Sequence, residues 1–342
     1  MDAEELELFA KSLEHATARH TGAALDAALA ELGWGDAFAA DPRAAVATLF
    51  ELQGATATTS GALDVVLAVA LGLDPTANGD GDLGVVLPAL GASEPPGRVE
   101  GDRLVVLGLG TADLARRSGV LVVTAAAASA VGGAGGLGAL VLDPADLDLR
   151  TAEGIDPRLG LITVAADLAA SPASSRTRVG GIAGGTPGGT PDWEAALDAG
   201  RRALAHELVG ASRTMLELAR QHALERIQFG RPIAQFQAVR HKLAESLVAI
   251  EAADGALAAA WEDPSPTASA IAKAIAGRSA RTVARHAQQV LAGIGFTTEH
   301  PLHLYVRRVL VLDRLLGGAG ALTRELGDDL LASRSLPAML PL

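Results

Sequence analysis

The sequence predicts an α+β protein: an N-terminal helical domain, a small middle β-domain and a C-terminal four-helix bundle. Three observations predict it. Apolar residues recur at helical spacing up to about residue 75. Short β-branched and apolar runs then alternate with Gly, Pro and Asp clusters up to about residue 170. From residue 191 onward the helical period returns in much longer blocks.

Each element follows from its residues. Residues 2–20 place Leu6, Phe9, Leu13 and Ala16 on one face, and further helical stretches cover 23–32, 42–52 and 60–73. Strands are expected at 83–87, 103–109, 119–124, 137–142 and 159–165. The stretch 119–142 has no charged residue and is long enough to span a bilayer, but Gly132, Gly133, Gly135, Gly136 and Gly138 interrupt it. It therefore reads as two buried strands around a Gly-rich turn. Residues 171–190, rich in Ser, Gly, Thr and Pro, read as a linker. Thr190 then caps, and Pro191 starts, a helix running to about Arg226. Three more blocks follow: 234–262, one from the Pro264–Pro266 break to 292, and one opening at Pro301 and broken at Gly317-Gly318, beyond which 319–331 forms a shorter helix. Long amphipathic helices joined by short connections pack antiparallel. The expected domains are 1–78, 79–170 and 191–342, joined by the linker 171–190.

The 342-residue chain is 49% apolar, enough for two or three cores, and carries 28 basic against 40 acidic residues, a net charge of −12. Such acidity disfavours binding to nucleic acid and to anionic membranes. The chain has no cysteine, which excludes disulfides, thiol nucleophiles and thiolate metal sites. The acidic start Met-Asp-Ala-Glu-Glu does not read as a signal peptide, so the expected location is cytoplasmic. The eight histidines show no metal-ligand spacing; His300 and His303 flank a helix start and suit a role there. Gly133-x-Gly135-x-x-Gly138 matches a dinucleotide fingerprint by letter but is followed by a strand, not a helix. No metal site is expected.

Two segments of the bundle resemble the acyl-CoA dehydrogenase family. The first is Arg226-Ile227-Gln228-Phe229-Gly230-Arg231-Pro232-Ile233, followed by Phe236, Gln237 and Leu243-Ala244; the second is Gln289-Val290-Leu291-Ala292-Gly293-Ile294-Gly295-Phe296. In the second, Ala292 stands where the family usually has a glycine. The order of domains matches the family across nearly the whole chain. The resemblance implies an FAD site in which Arg226, Gln228, Phe229, Phe236, Gln237, Gln289, Gly293 and Gly295 hold the ADP half of a cofactor whose flavin lies in a neighbouring subunit. The residue types suit that role: arginine clamps a pyrophosphate, glutamine amides donate to phosphate or adenine, and glycines let the backbone come close.

The family abstracts an α-proton from an acyl-CoA thioester with a glutamate at one of two places. The corresponding residues here are Leu316 and Gly200, neither a carboxylate, so no catalytic residue is assigned. Glu207, seven residues beyond Gly200 on the same helix, is an alternative base. The flavin-ring hairpin of the family is shortened here to Ala92-Ser93-Glu94-Pro95-Pro96-Gly97. The chain thus resembles the short subunit of bacterial α2β2 acyl-CoA dehydrogenases of the steroid side-chain type. That resemblance implies a catalytic partner chain, an acyl-CoA substrate and an electron-transfer acceptor. Two other readings stay open: an active homo-oligomer using Glu207, and a non-enzymatic scaffold on the same fold.

Overall fold

A computed structural model of the chain describes residues 3–73, 83–126, 136–169, 177–178 and 191–334. The N-terminal part holds helices α1 (Ala3–Arg19), α2 (Ala23–Glu31), α3 (Trp34–Ala40), α4 (Pro42–Thr56) and α5 (Ala62–Ala70). Helix α4 starts on a cap written in the sequence: the Asp41 carboxylate accepts from the Ala44 N–H at 3.0 Å, with Pro42 in the first turn. Helix α3 was not expected, because Gly33 and Gly35 read as a break. It forms because Trp34 and Phe38, one turn apart, stack with centroids 5.3 Å apart and bury against α4.

The middle part is one mixed sheet of β1 (Leu83–Val85), β2 (Gly97–Glu100), β3 (Arg103–Gly110), β4 (Gly119–Ala126), β5 (Leu137–Leu142), β6 (Asp148–Thr151), β7 (Ile162–Ala169) and β8 (Thr177–Arg178). Its order is β6-β7-β3-β2-β4-β5-β8, with β1 also on β4. The two charge-free runs pair antiparallel as expected, Val120 opposite Leu142 and Thr124 opposite Gly138; residues 127–135 of their turn, and with them the Gly133–Gly135 part of the discounted fingerprint, lie outside the described residues. β4 is apolar without alternation because both its faces are covered. Val120 and Val122 enter the sheet's own core, whereas Leu121 and Val123 join the core shared with the helices. β2 and β6 were not expected, since Arg98, Glu100, Asp148 and Arg150 leave them little apolar signal. The last strand starts at Ile162 rather than at 159, because Pro157–Leu159 forms a 3-10 turn closed by Gly160 at φ 67°. Within the expected linker, Thr177–Arg178 pairs with β5, a local departure from a simple loop; Thr190 lies outside the described residues.

The C-terminal bundle comprises α6 (Trp193–Glu225), the short strands β9 (Ile227–Gln228) and β10 (Arg231–Pro232), α7 (Gln237–Glu262), α8 (Pro266–Leu291), α9 (Leu302–Leu312) and α10 (Ala319–Ser333). The cap of α6 is Asp192, whose carboxylate accepts from the Ala195 N–H at 2.9 Å, two residues beyond the expected Thr190. The 33 residues of α6 span about 50 Å. Helices α4, α5, α7, α8 and α9 pack around it, so residues 200–212 are buried all the way round. Among the described residues no helix is long and apolar enough to cross a membrane.

Glycines set the α4–α6 crossing. A Cβ at Gly210 would fall on the carbonyl oxygen of Glu51, and one at Gly54 on that of Glu207, so the two backbones touch at both points. Gly210→Ala is expected to cost about 2–3 kcal/mol, because backbone rather than a flexible side chain must yield. A lowered midpoint in chemical denaturation checks this.

Candidate functional site

The residues implied as cofactor-binding gather at one end of the bundle. α6 and α8 run the same way and α7 and α9 oppose them, so the end of α6, the start of α7, the end of α8 and the start of α9 share that end. Helix α6 stops at Glu225, and Arg226 turns into extended backbone, its carbonyl accepting from the Ile233 N–H at 2.8 Å. Gln228 pairs with Arg231 across a two-residue turn, Phe229-Gly230, with φ of 52° and 77°. Such a turn ordinarily takes Asn-Gly. Phe229 adopts this strained backbone while 91% exposed, so its ring is presented outward and not buried in the bundle. The ring meets Phe236 edge-on at 6.0 Å, and the Arg231 guanidinium lies over Phe236 at 4.5 Å. Gln237 opens α7 and hydrogen-bonds His241 at 3.0 Å.

Gln289 is exposed on the last turn of α8, and Gly293 follows with open space where a side chain would stand. Gly295 differs from the sequence-based expectation of a ligand approach. It is buried, and a Cβ there would meet Leu291 at 2.9 Å, so its smallness serves the chain's own turn. Ala292 sits at φ 52°, ψ −132°, backbone that favours glycine, which accounts for the glycine usual there. Ala292→Gly is expected to stabilise the chain by about 1 kcal/mol, read as a raised melting temperature.

Sequence reasoning passed over His222, one helical turn before Arg226. Burial and the Arg226 charge hold its imidazole below the ordinary range. His300 is likewise lowered, by burial and then by His222 and His303, and its ring accepts from the Leu302 N–H at 3.2 Å, the helix-start role expected of it. Among the described residues no three His, Cys, Asp or Glu side chains are grouped to hold a metal. The set of one guanidinium, three amides, the exposed Phe229 ring, the half-buried Phe236 ring and an open glycine fits the ADP half of FAD.

The positions that would hold a base are brought together at the other end. A Cβ at Gly200 would overlap Leu316 and come within 2.9 Å of Leu67, so Leu316 fills the space above Gly200. Leu316 is 1% exposed, at φ 55°. Its turn is pinned from beneath: Lys273, fully buried, donates to the carbonyls of Leu312, Asp313 and Gly317 at 3.0, 2.9 and 3.4 Å. Burial pushes the Lys273 ammonium down to about 7. Arg201 Nε donates to the Leu316 carbonyl at 3.1 Å. Neither Lys273 nor its role had a signal in the sequence, where it is one of three lysines on an apparent helix face.

The shortened hairpin lies beside this end. Its Ser93 carbonyl accepts from the Trp193 indole at 2.8 Å. A cavity of about 320 Å³ between them carries Glu94, Glu194, Glu325 and Asp329 around Arg201. Four carboxylates against one guanidinium repel a pyrophosphate.

Glu207 is 5% exposed and committed elsewhere. Its carboxylate accepts from Arg308 Nη1 at 3.1 Å. Burial raises it to about 6, against the opposing attraction of Arg308. Arg308, 0% exposed, also donates to Asp156 at 2.6 Å and to the carbonyls of Thr58 and Ala57 at 2.7 and 3.1 Å. One guanidinium thus ties together α6, α9, the sheet's β6–β7 connection and the loop after α4.

Residues 188–329 match the family model of the acyl-CoA dehydrogenase C-terminal domain. The bundle is thus similar to the acyl-CoA dehydrogenase C-terminal domain. Across 126 residues the chain is 38% identical to the acyl-CoA dehydrogenase IpdE2 of Mycobacterium tuberculosis, covering 37% of this chain and 40% of that protein. To the acyl-CoA dehydrogenase FadE34 of the same organism it is 41% identical over 139 residues, 39% of this chain and 20% of that one. The chain thus spans less than half the length of the curated relatives it matches. Solved structures of the acyl-CoA dehydrogenase fold align over nearly the whole chain. A solved structure titled as the Tcur3481-Tcur3483 steroid ACAD G363A variant aligns with TM-score 0.77 and 23% identity, covering 97% of this chain and 99% of that one. A chain of the ChsE4-ChsE5 complex from Mycobacterium tuberculosis aligns with TM-score 0.73 and 20% identity over 99% of both.

Proposed function

We propose that this chain is the non-catalytic subunit of a heteromeric, flavin-dependent acyl-CoA dehydrogenase, completing through its bundle the FAD site of a base-bearing partner in an α2β2 assembly. One observation carries the reading. Arg226 and Gly200 are separated by 26 residues of one helix, about 39 Å. The cofactor elements and the closed base position are therefore too far apart for one cofactor on this chain to serve both. An intact ADP cradle at one end and a leucine plug at the other suit a chain that serves its neighbour's chemistry.

In that role the Arg226 guanidinium grips the pyrophosphate, and Gln228, Gln237 and Gln289 donate to phosphate or adenine. Phe229 and Phe236 give the adenine an apolar wall, and Gly293 admits close backbone approach; Gly295 supports the turn. When bound, FAD supplies the hydride acceptor for α,β-dehydrogenation of an acyl-CoA thioester. The partner supplies the carboxylate that takes the α-proton, since here Leu316 occupies that place and Glu207 is held by Arg308. Transfer of electrons to a separate acceptor, a cytoplasmic location and CoA thioesters of steroid side chains as substrates complete the reading. The last rests on analogy to one solved structure of the same fold, whose title calls it a steroid ACAD.

The test is to purify the chain alone and together with an acyl-CoA dehydrogenase chain that carries the glutamate. The lone chain should be colourless and inert, and the pair yellow, four chains by mass, and able to reduce a dye with acyl-CoA. A lone chain that is yellow and active overturns the proposal in favour of a homo-oligomer. A pair that gains no flavin points to a scaffold.

A further inference from the structure

Among the described residues, the N-terminal helices line a half-open cavity of about 770 Å³ between α2, α3 and α5, unconnected with the cofactor elements. Val65 and Val69 face it from one side of α5, whereas Leu67, which meets Gly200, points the opposite way, two residues from each. The stacked Trp34 and Phe38, with Leu29 and Leu73, all buried, complete the apolar walls beside the half-buried Val65 and Val69. Asp36 of α3 also lines the cavity, and the paired polar groups lie on the opposite side, toward α2. Asp26 Oδ1 accepts from the Gly61 N–H at 2.7 Å, and Asp26 Oδ2 lies 3.7 Å from Arg117 Nη2.

We propose that this cavity binds an uncharged, chain-like or ring-built alcohol, with its apolar body against Trp34, Val65 and Val69 and its hydroxyl donating to Asp26. The volume lies within the range of small-molecule sites, and apolar walls with a polar corner both bind and orient such a ligand. Each carboxylate oxygen carries two acceptor positions, so Asp26 has capacity beyond its present partners. A carboxylate ligand is rejected, because Asp26 and Asp36 outnumber Arg117 around the cavity. Burial, which raises the Asp26 carboxyl above the ordinary range, shows how poorly this wall tolerates further negative charge.

The test uses the full chain with 1-dodecanol and dodecanoate as probes, measured by equilibrium dialysis. Dodecanol should bind saturably with one site per chain, and dodecanoate about tenfold more weakly or worse. Val69→Phe, which fills the cavity, should weaken dodecanol at least about tenfold while holding or raising the melting temperature. Ala39→Leu, exposed on the α3 rim, gives the same reading should Val69→Phe fail to fold. Absence of saturable dodecanol binding, equal affinity for dodecanoate, or wild-type affinity in the folded filling variants overturns the proposal. None of these outcomes depends on flavin, so they are distinct from a failure of the subunit reading.

Discussion

Arg308→Met is expected to cost about 3–5 kcal/mol and to lower the melting temperature severely. The guanidinium is fully buried and answers two buried carboxylates, Glu207 and Asp156, and two backbone carbonyls. Removing it leaves two charges without a counter-charge in a dry interior, and that penalty exceeds any gain from the apolar replacement. Glu207→Gln should behave differently. A glutamine oxygen still accepts from Arg308, so its cost should stay within about 1 kcal/mol. It should also change the dependence of stability on pH. Burial lifts the folded-state value of Glu207 to about 6, above the ordinary 4.5, so between these limits the folded chain holds more protons than the unfolded one. The contribution of this proton is full below pH 4.5 and is lost as pH rises through 6, on the order of 2 kcal/mol. The wild-type minus Glu207→Gln difference in denaturation free energy should fall across that window and be flat above it. The same variant bears on chemistry: dehydrogenation by the assembled enzyme should proceed unchanged, whereas loss of turnover would reinstate Glu207 as a base.

Arg226→Ala is expected to strip flavin from the assembled enzyme while leaving the fold intact. The side chain is exposed on this chain, so its removal costs little stability. Losing a charge-assisted fork to a pyrophosphate buried at a subunit interface should weaken FAD by about 2–3 kcal/mol, roughly 30- to 150-fold. Arg226→Lys should recover part of this, since it restores charge without the planar fork. Flavin absorbance after gel filtration reads the result, and undiminished occupancy in Arg226→Ala would remove this residue from the site. The assay must use the assembled pair, because the proposed ligand is shared between chains.

The sequence alone determined the order of the three parts and the long-helix bundle. These are legible because they depend on local period, caps and breakers: Leu6, Phe9 and Leu13 repeat at helical spacing, and Gly317-Gly318 ends the turn after α9. It also showed that neither Gly200 nor Leu316 could act as a base, a matter of side-chain chemistry that needs no coordinates. Helix α3 and strands β2 and β6 escaped it, since the Trp34–Phe38 stack and the covering of polar strands are settled by neighbours distant in sequence. Tertiary structure decided three further matters. It set Leu316 against Gly200, so that the two positions where the resemblance places a base close one another. It enclosed Glu207 with Arg308, 101 residues apart, turning a candidate base into half of an ion pair. It also showed Gly295 serving the chain's own turn while Gly293 stays open. The division follows from range: periodicity and residue chemistry act over a few positions, whereas burial, pairing and close approach are properties of segments that meet only when the chain has folded.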